Sequence, residues 1–271
     1  IPRDVFFGNP ERTNPKLSPD GNQLAFLAPV DGVLNVWVGP VSDLAKAKPV
    51  TSDKKRGIRI HTWAYTSGHV LYAQDEGGDE NWHVYVVDLA TSKALDLTPM
   101  KGVQARIVGA SPKKPKELLL GINDRDKKWH DVHRVDLTTG KLTLVEKNEG
   151  KASYLADAEL ALRFALESTR GGGYSVLQRQ GTRWAAFSSI PFEDTRNTQL
   201  VTLDSSGKEL YWTSSLGRDK SVLERVALPK KDAKVLAESS KADVSGVFTH
   251  PVTWKPRAAL SEHLRQEWIV L

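Results

Sequence analysis

The densest group of side chains able to bind a charged ligand lies in one short acidic segment, Asp75–Asn81. It holds four carboxylates and two adjacent glycines, Gly77 and Gly78. Adjacent glycines mark a turn, and carboxylates at this density stay in solvent. Because carboxylates accept strong hydrogen bonds from ammonium groups, the segment is the best candidate in the sequence for a binding site. A solvated turn or a salt bridge to another domain is the alternative interpretation.

The sequence gives little support for a catalytic site or a metal site. There is no cysteine, which excludes disulfides, thiol catalysis and cysteine-ligated metal. We find no Gly-x-Ser-x-Gly pentapeptide of the kind that places a nucleophilic serine on a strained elbow, so no catalytic residue is predicted. His130 and His133 are three residues apart on a predicted strand and therefore point to opposite faces. They cannot share an ion, and no metal or cofactor site is predicted.

Two further segments have a weak resemblance to ligand-binding loops. The segment Asn123–Asp126 is acidic, but it lacks the glycine and the distal glutamate of a calcium-binding hand. The segment Arg170–Gly173 is rich in glycine, but it follows a predicted strand and opens no helix, unlike a phosphate-binding loop. Both are interpreted as turns.

Composition excludes several classes of partner. The 271 residues carry 38 Lys and Arg against 33 Asp and Glu, a net charge of +5. The basic clusters, such as Lys54–Arg56, fall in predicted turns and form no continuous basic face, so we expect no nucleic-acid partner. No apolar run approaches the ~20 residues of a membrane helix, so no membrane partner is expected. The chain starts at Ile1, and we expect a processed protein or a piece of a larger one.

The elements that position the acidic turn form a hairpin that recurs along the chain. The strand predicted at Trp82–Leu89 is apolar on both alternating faces, which is typical of a strand between stacked sheets. Groups of four short strands with glycine turns recur every ~45 residues, the period of a β-propeller blade. The sequence therefore predicts one all-β propeller domain, 1–271, of four-stranded antiparallel blades. Five complete blades are expected, followed by a partial sixth, and the segments are a lead-in 1–11, blades at about 12–52, 58–99, 103–146, 152–189 and 198–237, and a partial blade 243–271.

The predicted repeat of blades leads to specific expectations about the two ends of the chain and about the binding residues. The lead-in is expected to be irregular, with Phe6 and Phe7 plugging into a core, and the sixth blade to hold two strands. The count indicates a propeller that stops before ring closure. All turns between second and third strands are expected on one face, and the candidate binding residues are Glu76, Asp79, Glu80 and Arg125.

Several short motifs resemble those of a known family. The turn Ser18–Gly21 is followed by Leu24–Phe26 and Asn35–Trp37, and the segment Gly77–Trp82 by Tyr85–Leu89. With Leu97–Pro99, Asn123–Asp126 and Thr249–Pro251, these resemble the N-terminal propeller of the prolyl oligopeptidase family of serine peptidases, in its acylaminoacyl-peptidase-like bacterial branch. The resemblance covers nearly the whole chain.

The resemblance implies a seven-bladed propeller that caps a C-terminal α/β-hydrolase domain with a Ser-Asp-His triad. No residue of that triad can be placed on this sequence. The expected function is therefore non-catalytic: the propeller gates substrate access and contacts the missing domain, which cleaves short or N-acylated peptides. In that setting the acidic turn is expected to hold a substrate amino terminus. The alternative is a non-enzymatic propeller that binds proteins or peptides on one face, and the bacterial cytoplasm and periplasm are both compatible.

Overall fold

The computed structural model describes residues 2–271, and nearly all of its regular structure is antiparallel strand. Five sheets have four strands and the sixth has three, and within each sheet every strand pairs with the next one along the chain. This confirms the predicted fold class, an all-β propeller with five complete blades and a partial sixth. Alternating apolar residues and short glycine turns favour such hairpins because side chains on a strand point to opposite faces in turn.

The strands are grouped here by sheet. Sheet 1 comprises β1 Thr13–Leu17, β2 Gln23–Val30, β3 Val33–Pro40 and β4 Lys48–Pro49. Sheet 2 comprises β5 Ile60–Trp63, β6 His69–Gln74, β7 His83–Asp88 and β8 Lys93–Asp96. Sheet 3 comprises β9 Ala105–Ala110, β10 Glu117–Asp126, β11 Trp129–Asp136 and β12 Leu142–Glu146.

The remaining sheets follow in the same way. Sheet 4 comprises β13 Lys151–Ala156, β14 Leu162–Ser168, β15 Tyr174–Gln180 and β16 Arg183–Ile190. Sheet 5 comprises β17 Gln199–Leu203, β18 Glu209–Ser214, β19 Val222–Ala227 and β20 Asp232–Ala237. Sheet 6 comprises β21 Val244–Thr249, β22 Pro256–His263 and β23 Arg265–Val270. The helices are α1 Arg3–Phe7 and two single 3₁₀ turns, Leu44–Lys46 and Phe192–Asp194.

The chain separates into two compact units that divide after Asn148, with sheets 1–3 in the first and sheets 4–6 in the second. In the first unit, apolar clusters fill the spaces between sheets 1 and 2 and between sheets 2 and 3. In the second unit, Phe164, Leu203 and Trp212 belong to a cluster between sheets 4 and 5. Burial of these faces is the main force that stabilises each unit. Among residues 2–271, no helix is long and apolar enough to cross a membrane.

Two expectations about the chain ends were wrong. The lead-in contains α1, and Phe6 and Phe7 are 63% and 80% exposed instead of plugged into a core. Sheet 6 holds three strands where two were expected, because His263 and Arg265 pair across the tight turn at Leu264 and continue the hairpin to Val270. Trp268 and Val270 on β23 stay 53% and 82% exposed.

Candidate functional site

The acidic turn joins β6 to β7, and its own side chains fix its shape. The Asp79 carboxylate accepts hydrogen bonds from the backbone N–H groups of Glu76 at 3.3 Å and Asn81 at 3.0 Å. The Asn81 side-chain amide donates to the same carboxylate at 2.9 Å. These bonds, with that from Asn81 foremost, lower the pKa of Asp79. Asp79 therefore organises the loop as an ionised carboxylate whose oxygens are already hydrogen-bonded.

Glu80 adopts a left-handed backbone conformation, with φ of 59°. A residue with a Cβ pays for this conformation in steric strain, so the surrounding structure must hold it. The Glu80 N–H donates to Asp75 Oδ2 at 3.3 Å, and its carbonyl accepts from Gln104 Nε2 at 3.1 Å. The peptide groups on both sides of Glu80 are thus anchored, while its side chain is exposed.

Asp75 is the one carboxylate of the turn that lies inside the protein. Its side chain is 3% exposed, and Oδ1 lies 3.3 Å from Nε of Arg56. Arg56 crosses the turn next to Gly78, which has φ of 92° and where a Cβ would collide with the guanidinium. The backbone conformation therefore favours glycine at position 78, and a side chain there would have to displace the end of the Arg56 side chain.

Arg56 comes from the linker between sheets 1 and 2, and buried polar groups hold that linker. Asn35 is fully buried and bonds through its side chain to Val33, Thr51 and Asp53. The Asp53 carboxylate in turn accepts from the N–H groups of Arg56 at 3.1 Å and Gly57 at 2.5 Å. Burial raises the pKa of Asp53, but hydrogen bonds from the backbone of Gly57 and Lys55 and from the Gln74 side chain outweigh burial, and the net pKa is lowered. These hydrogen bonds fix the linker to sheet 1, and the linker in turn places the Arg56 guanidinium at the acidic turn.

The linker and the turn enclose a polar cavity of about 440 Å³. Its lining is mixed in charge, with Asp53, Asp75, Glu76 and Asp96 facing Lys55, Arg56 and His83. His83 Nδ1 lies 2.9 Å from Asp96 Oδ2. Tyr85 lies beside them, stacked on Tyr72 with ring centroids 4.8 Å apart. Burial, followed by the carboxylates of Asp96 and Glu76, raises the pKa of Tyr85, so its hydroxyl stays protonated at neutral pH.

The four candidate binding residues have different surroundings. Glu76, Asp79 and Glu80 are exposed together on the acidic turn, and within residues 2–271 no cationic side chain forms an ion pair with them. Arg125 lies on the β10–β11 hairpin of sheet 3 and makes a two-pronged ion pair with Asp131, at 2.7 Å for both contacts. It also donates to the Asn148 carbonyl at 2.8 Å. Arg125 is thus held by sheet 3, and its contact with substrate stays a prediction.

Three contacts of the site were not found from the sequence. Arg56 was grouped with Lys54 and Lys55 as a solvated basic cluster, yet it pairs with the buried Asp75. His83 was assigned only to a strand face, and its partner Asp96 follows on the adjacent strand. Gln104, from the linker between sheets 2 and 3, bonds to Glu80 and to the side chain of Asn123. A glycine pair flanked by carboxylates signals the turn, but no sequence pattern identifies partners supplied by a linker.

No protein-family model matches the chain. The chain is 45% identical over its full length to dipeptidyl aminopeptidase BIII of Pseudoxanthomonas mexicana and spans 40% of that protein. It is 28% identical over 97% of its length to dipeptidyl peptidase family member 6 of Caenorhabditis elegans, of which it covers 37%. The chain therefore spans about two fifths of the length of these curated relatives.

The fold is also found in solved structures. The β-propeller domain of the trilobed protease from Pyrococcus furiosus superposes with a TM-score of 0.61 at 14% identity, over 95% of this chain and 78% of that one. An acylaminoacyl peptidase superposes with a TM-score of 0.57 at 13% identity, over 96% of this chain and 45% of that one. At such identities the likeness shows the fold alone. Together, the comparisons show that the chain is similar in sequence to part of a dipeptidyl aminopeptidase and that it shares its fold with the β-propeller domain of a protease.

Proposed function

We propose that the chain is the non-catalytic propeller of a serine peptidase. In this proposal it gates access to an α/β-hydrolase domain, contacts that domain, and helps to select peptides. The observation that carries the proposal is the 45% identity over the whole chain to a dipeptidyl aminopeptidase of which the chain spans 40%. The catalytic residues then belong to the part of the parent protein outside this chain.

The activity proposal is tested on the parent protein and on residues 1–271 side by side. We expect the parent protein to release 4-nitroaniline from dipeptidyl nitroanilides and to react with a fluorophosphonate probe. Residues 1–271 should do neither. A parent protein that shows neither activity, and whose reading frame contains no Gly-x-Ser-x-Gly elbow after Leu271, would instead be a non-enzymatic propeller that binds proteins or peptides.

We further propose that the acidic turn binds the free amino terminus of the substrate. Glu76 and Glu80 are exposed, close in sequence and without a cationic partner among residues 2–271, while the neighbouring Asp79 is kept ionised by its hydrogen bonds. The strained backbone of Glu80 is anchored at both ends, which is typical of a position held for function. A hydrogen bond to a charged group contributes ~1.5–3 kcal/mol, which corresponds to roughly a 10- to 100-fold effect on binding.

The test of the amine site compares free and acetylated substrates in the parent enzyme. The double variant Glu76→Gln with Glu80→Gln should raise KM about 10-fold or more for free-amine dipeptidyl nitroanilides and leave acetylated peptides unaffected. Asp124→Asn, an exposed carboxylate on the sheet 3 hairpin, is the matched control and should change neither. Equal effects on both substrate classes would make the acidic turn a structural element.

Finally, we propose that the parent protein completes sheet 6 and adds a seventh blade. Each of the first five sheets has four strands, whereas sheet 6 has three and leaves Phe248, Trp268 and Val270 more than half exposed. An unpaired strand edge beside exposed apolar side chains favours association.

Residues 1–271 should therefore self-associate, or melt at a lower temperature than a chain extended by about 50 residues, a little more than one blade. Light scattering and thermal melting of the two chains test this, and a monodisperse short chain that melts no lower would overturn it.

A further inference from the structure

A second cavity, of about 360 Å³, lies between sheets 2 and 3 near their first strands, β5 and β9. Main-chain and side-chain atoms of twelve residues line it. The side chains of its sheet 2 wall share one face of that sheet, since Ile60 pairs with Ala73 across the ladder and Ala73 with Val84. Ala105 and Ile107 of β9 stand opposite them. The cavity is separate from the polar cavity at the linker of Arg56.

The cavity exists because the facing side chains are small where the two first strands approach each other. Leu71 and Val84 lie deep in the apolar cluster between sheets 2 and 3. Ala73 and Ala105 occupy positions where larger residues would close the gap. Ile60 and Ile107 also line the cavity and are 56% and 43% exposed, so an apolar path leads in from solvent.

The chemistry of the lining favours an apolar occupant. The side chains of Ile60, Leu71, Trp82, Val84 and Ile107 offer no hydrogen-bond acceptor to water. Engineered apolar cavities of ~150 Å³ stay dry and take up benzene, and small-molecule sites span ~300–1,000 Å³. The volume is thus sufficient for one aromatic or branched aliphatic side chain.

The cavity is connected to the acidic turn through two shared residues. Gln104 lines the cavity and donates from its side chain to the Glu80 carbonyl at 3.1 Å. Trp82 also lines the cavity, and its carbonyl accepts from the Ala105 N–H at 2.7 Å. Trp82 is only two residues from Glu80, so the cavity lies next to the C-terminal end of the acidic turn.

We infer that this cavity binds an apolar or aromatic side chain of a peptide whose amino terminus lies at the acidic turn. The inference rests on the proposed function, because the acidic turn supplies the second point of attachment. It specifies the substrate class: peptides with a large apolar residue close to a free amino terminus.

The test uses the parent protein and two probes that carry the same cation, L-phenylalaninamide and glycinamide, with binding followed by NMR titration. Burying an aromatic side chain should make phenylalaninamide bind about 10-fold tighter or more than glycinamide. Ala73→Leu, which fills the cavity, should abolish most of this preference. Ala94→Leu, the same change at an exposed position of β8 in the same sheet, is the control and should retain it.

A second variant keeps the test valid if Ala73→Leu does not fold. Ile107→Ala removes a partly exposed wall residue and should also lower the preference for phenylalaninamide. If Ala73→Leu or Ile107→Ala folds and the preference is unchanged, the inference is wrong. An equal affinity of the unmodified protein for the two probes also overturns it.

The failure of the inference can be distinguished from failure of the amine site. The double variant Glu76→Gln with Glu80→Gln should weaken both amides by the same factor and leave their ratio unchanged. If this double variant weakens the binding of neither amide while Ala73→Leu abolishes the preference for phenylalaninamide, the cavity inference is supported and the proposed amine site is wrong. If it weakens both while the cavity variants have no effect, the amine site stands and the cavity inference fails.

Discussion

The hairpins between the second and third strands of sheets 2 and 3 occupy the same position in the repeat. They differ in whether an arginine of the hairpin pairs with a carboxylate of the same hairpin. In sheet 3, Asp131 pairs with Ile122 across the ladder, and its carboxylate binds Arg125, which lies near the end of β10 and not in the turn predicted at Asn123–Asp126. In sheet 2, His83 occupies the position of Asp131, opposite Gln74, and no arginine lies on the turn. Sheet 5 resembles sheet 3, since Arg218 on its turn binds the mostly buried Glu224 at 3.0 Å.

The difference shows how one sheet of a repeat can keep carboxylates unpaired, so that they stay accessible for binding. Sheets 3 and 5 pair an arginine at or beside the turn with a carboxylate of the next strand, so both charges are used within one hairpin. Sheet 2 takes its arginine from the preceding linker, and Arg56 reaches only Asp75. Glu76 and Glu80 are left exposed and negatively charged. The candidate site is therefore a local departure from the pattern that stabilises the neighbouring sheet.

The largest effect is expected from breaking the pair in sheet 3. Asp131→Ala removes the carboxylate that accepts hydrogen bonds from the Arg125 guanidinium and from the Asn148 N–H. Removing one partner of a buried ion pair costs ~3–5 kcal/mol, and we expect about 3 because Arg125 is 40% exposed to solvent. Urea denaturation of the parent protein measures the loss. Asp124→Asn on the same hairpin should change the free energy of unfolding by less than ~0.5 kcal/mol.

A smaller loss is expected at the glycine pair of sheet 2. Gly77→Ala and Gly78→Ala both force a residue with a Cβ into a positive φ, at ~1–2 kcal/mol each. Only Gly78→Ala also displaces Arg56, since the space around a Cβ at position 77 is open. Gly78→Ala should therefore be the more destabilising of the two by thermal melting. Equal losses would show that the ion pair between Arg56 and Asp75 contributes nothing measurable.

The carboxylate of Asp131 should contribute to the pH dependence of stability. Burial raises the pKa of Asp131, but the hydrogen bonds from Arg125 and Asn148 outweigh it and the net pKa is lowered. A lowered folded-state pKa contributes stability above the unfolded-state value near ~4 and loses it as the pH falls through the folded-state value. Asp131→Asn should thus flatten the fall in stability below about pH 4, measured by urea denaturation at several pH values. A slope equal to that of the unmodified protein would contradict the assignment.

The smallest effect on stability is expected at the carboxylates that make no ion pair. Glu76→Gln with Glu80→Gln removes two exposed charges and no ion pair, so the free energy of unfolding should change by less than ~0.5 kcal/mol. The same double variant carries the predicted change in KM. A loss of stability comparable to that of Asp131→Ala would assign these residues to the structure of sheet 2 and not to binding.

The sequence by itself determined the repeat and the exposure of most of the acidic turn, but the expectation that all four carboxylates stay in solvent was wrong for the buried Asp75. Strand periodicity and glycine turns are local properties, so five four-stranded sheets and a partial sixth could be predicted from them. The pair Gly77–Gly78 among carboxylates sufficed to place a solvated turn there. The extent of sheet 6 was underestimated because the turn at Leu264 carries neither glycine nor proline.

Only the tertiary structure decided which charges are neutralised. Arg56 and Arg125 look alike in the sequence, since each lies in a basic or mixed-charge turn. The fold directs Arg56 to a buried carboxylate of the next sheet and Arg125 to a carboxylate of its own hairpin. Ion pairing depends on distances of a few ångströms between segments far apart in the chain, and local sequence does not encode those distances. For the same reason, the apolar cavity between β5 and β9 follows from the packing of two sheets and from no motif.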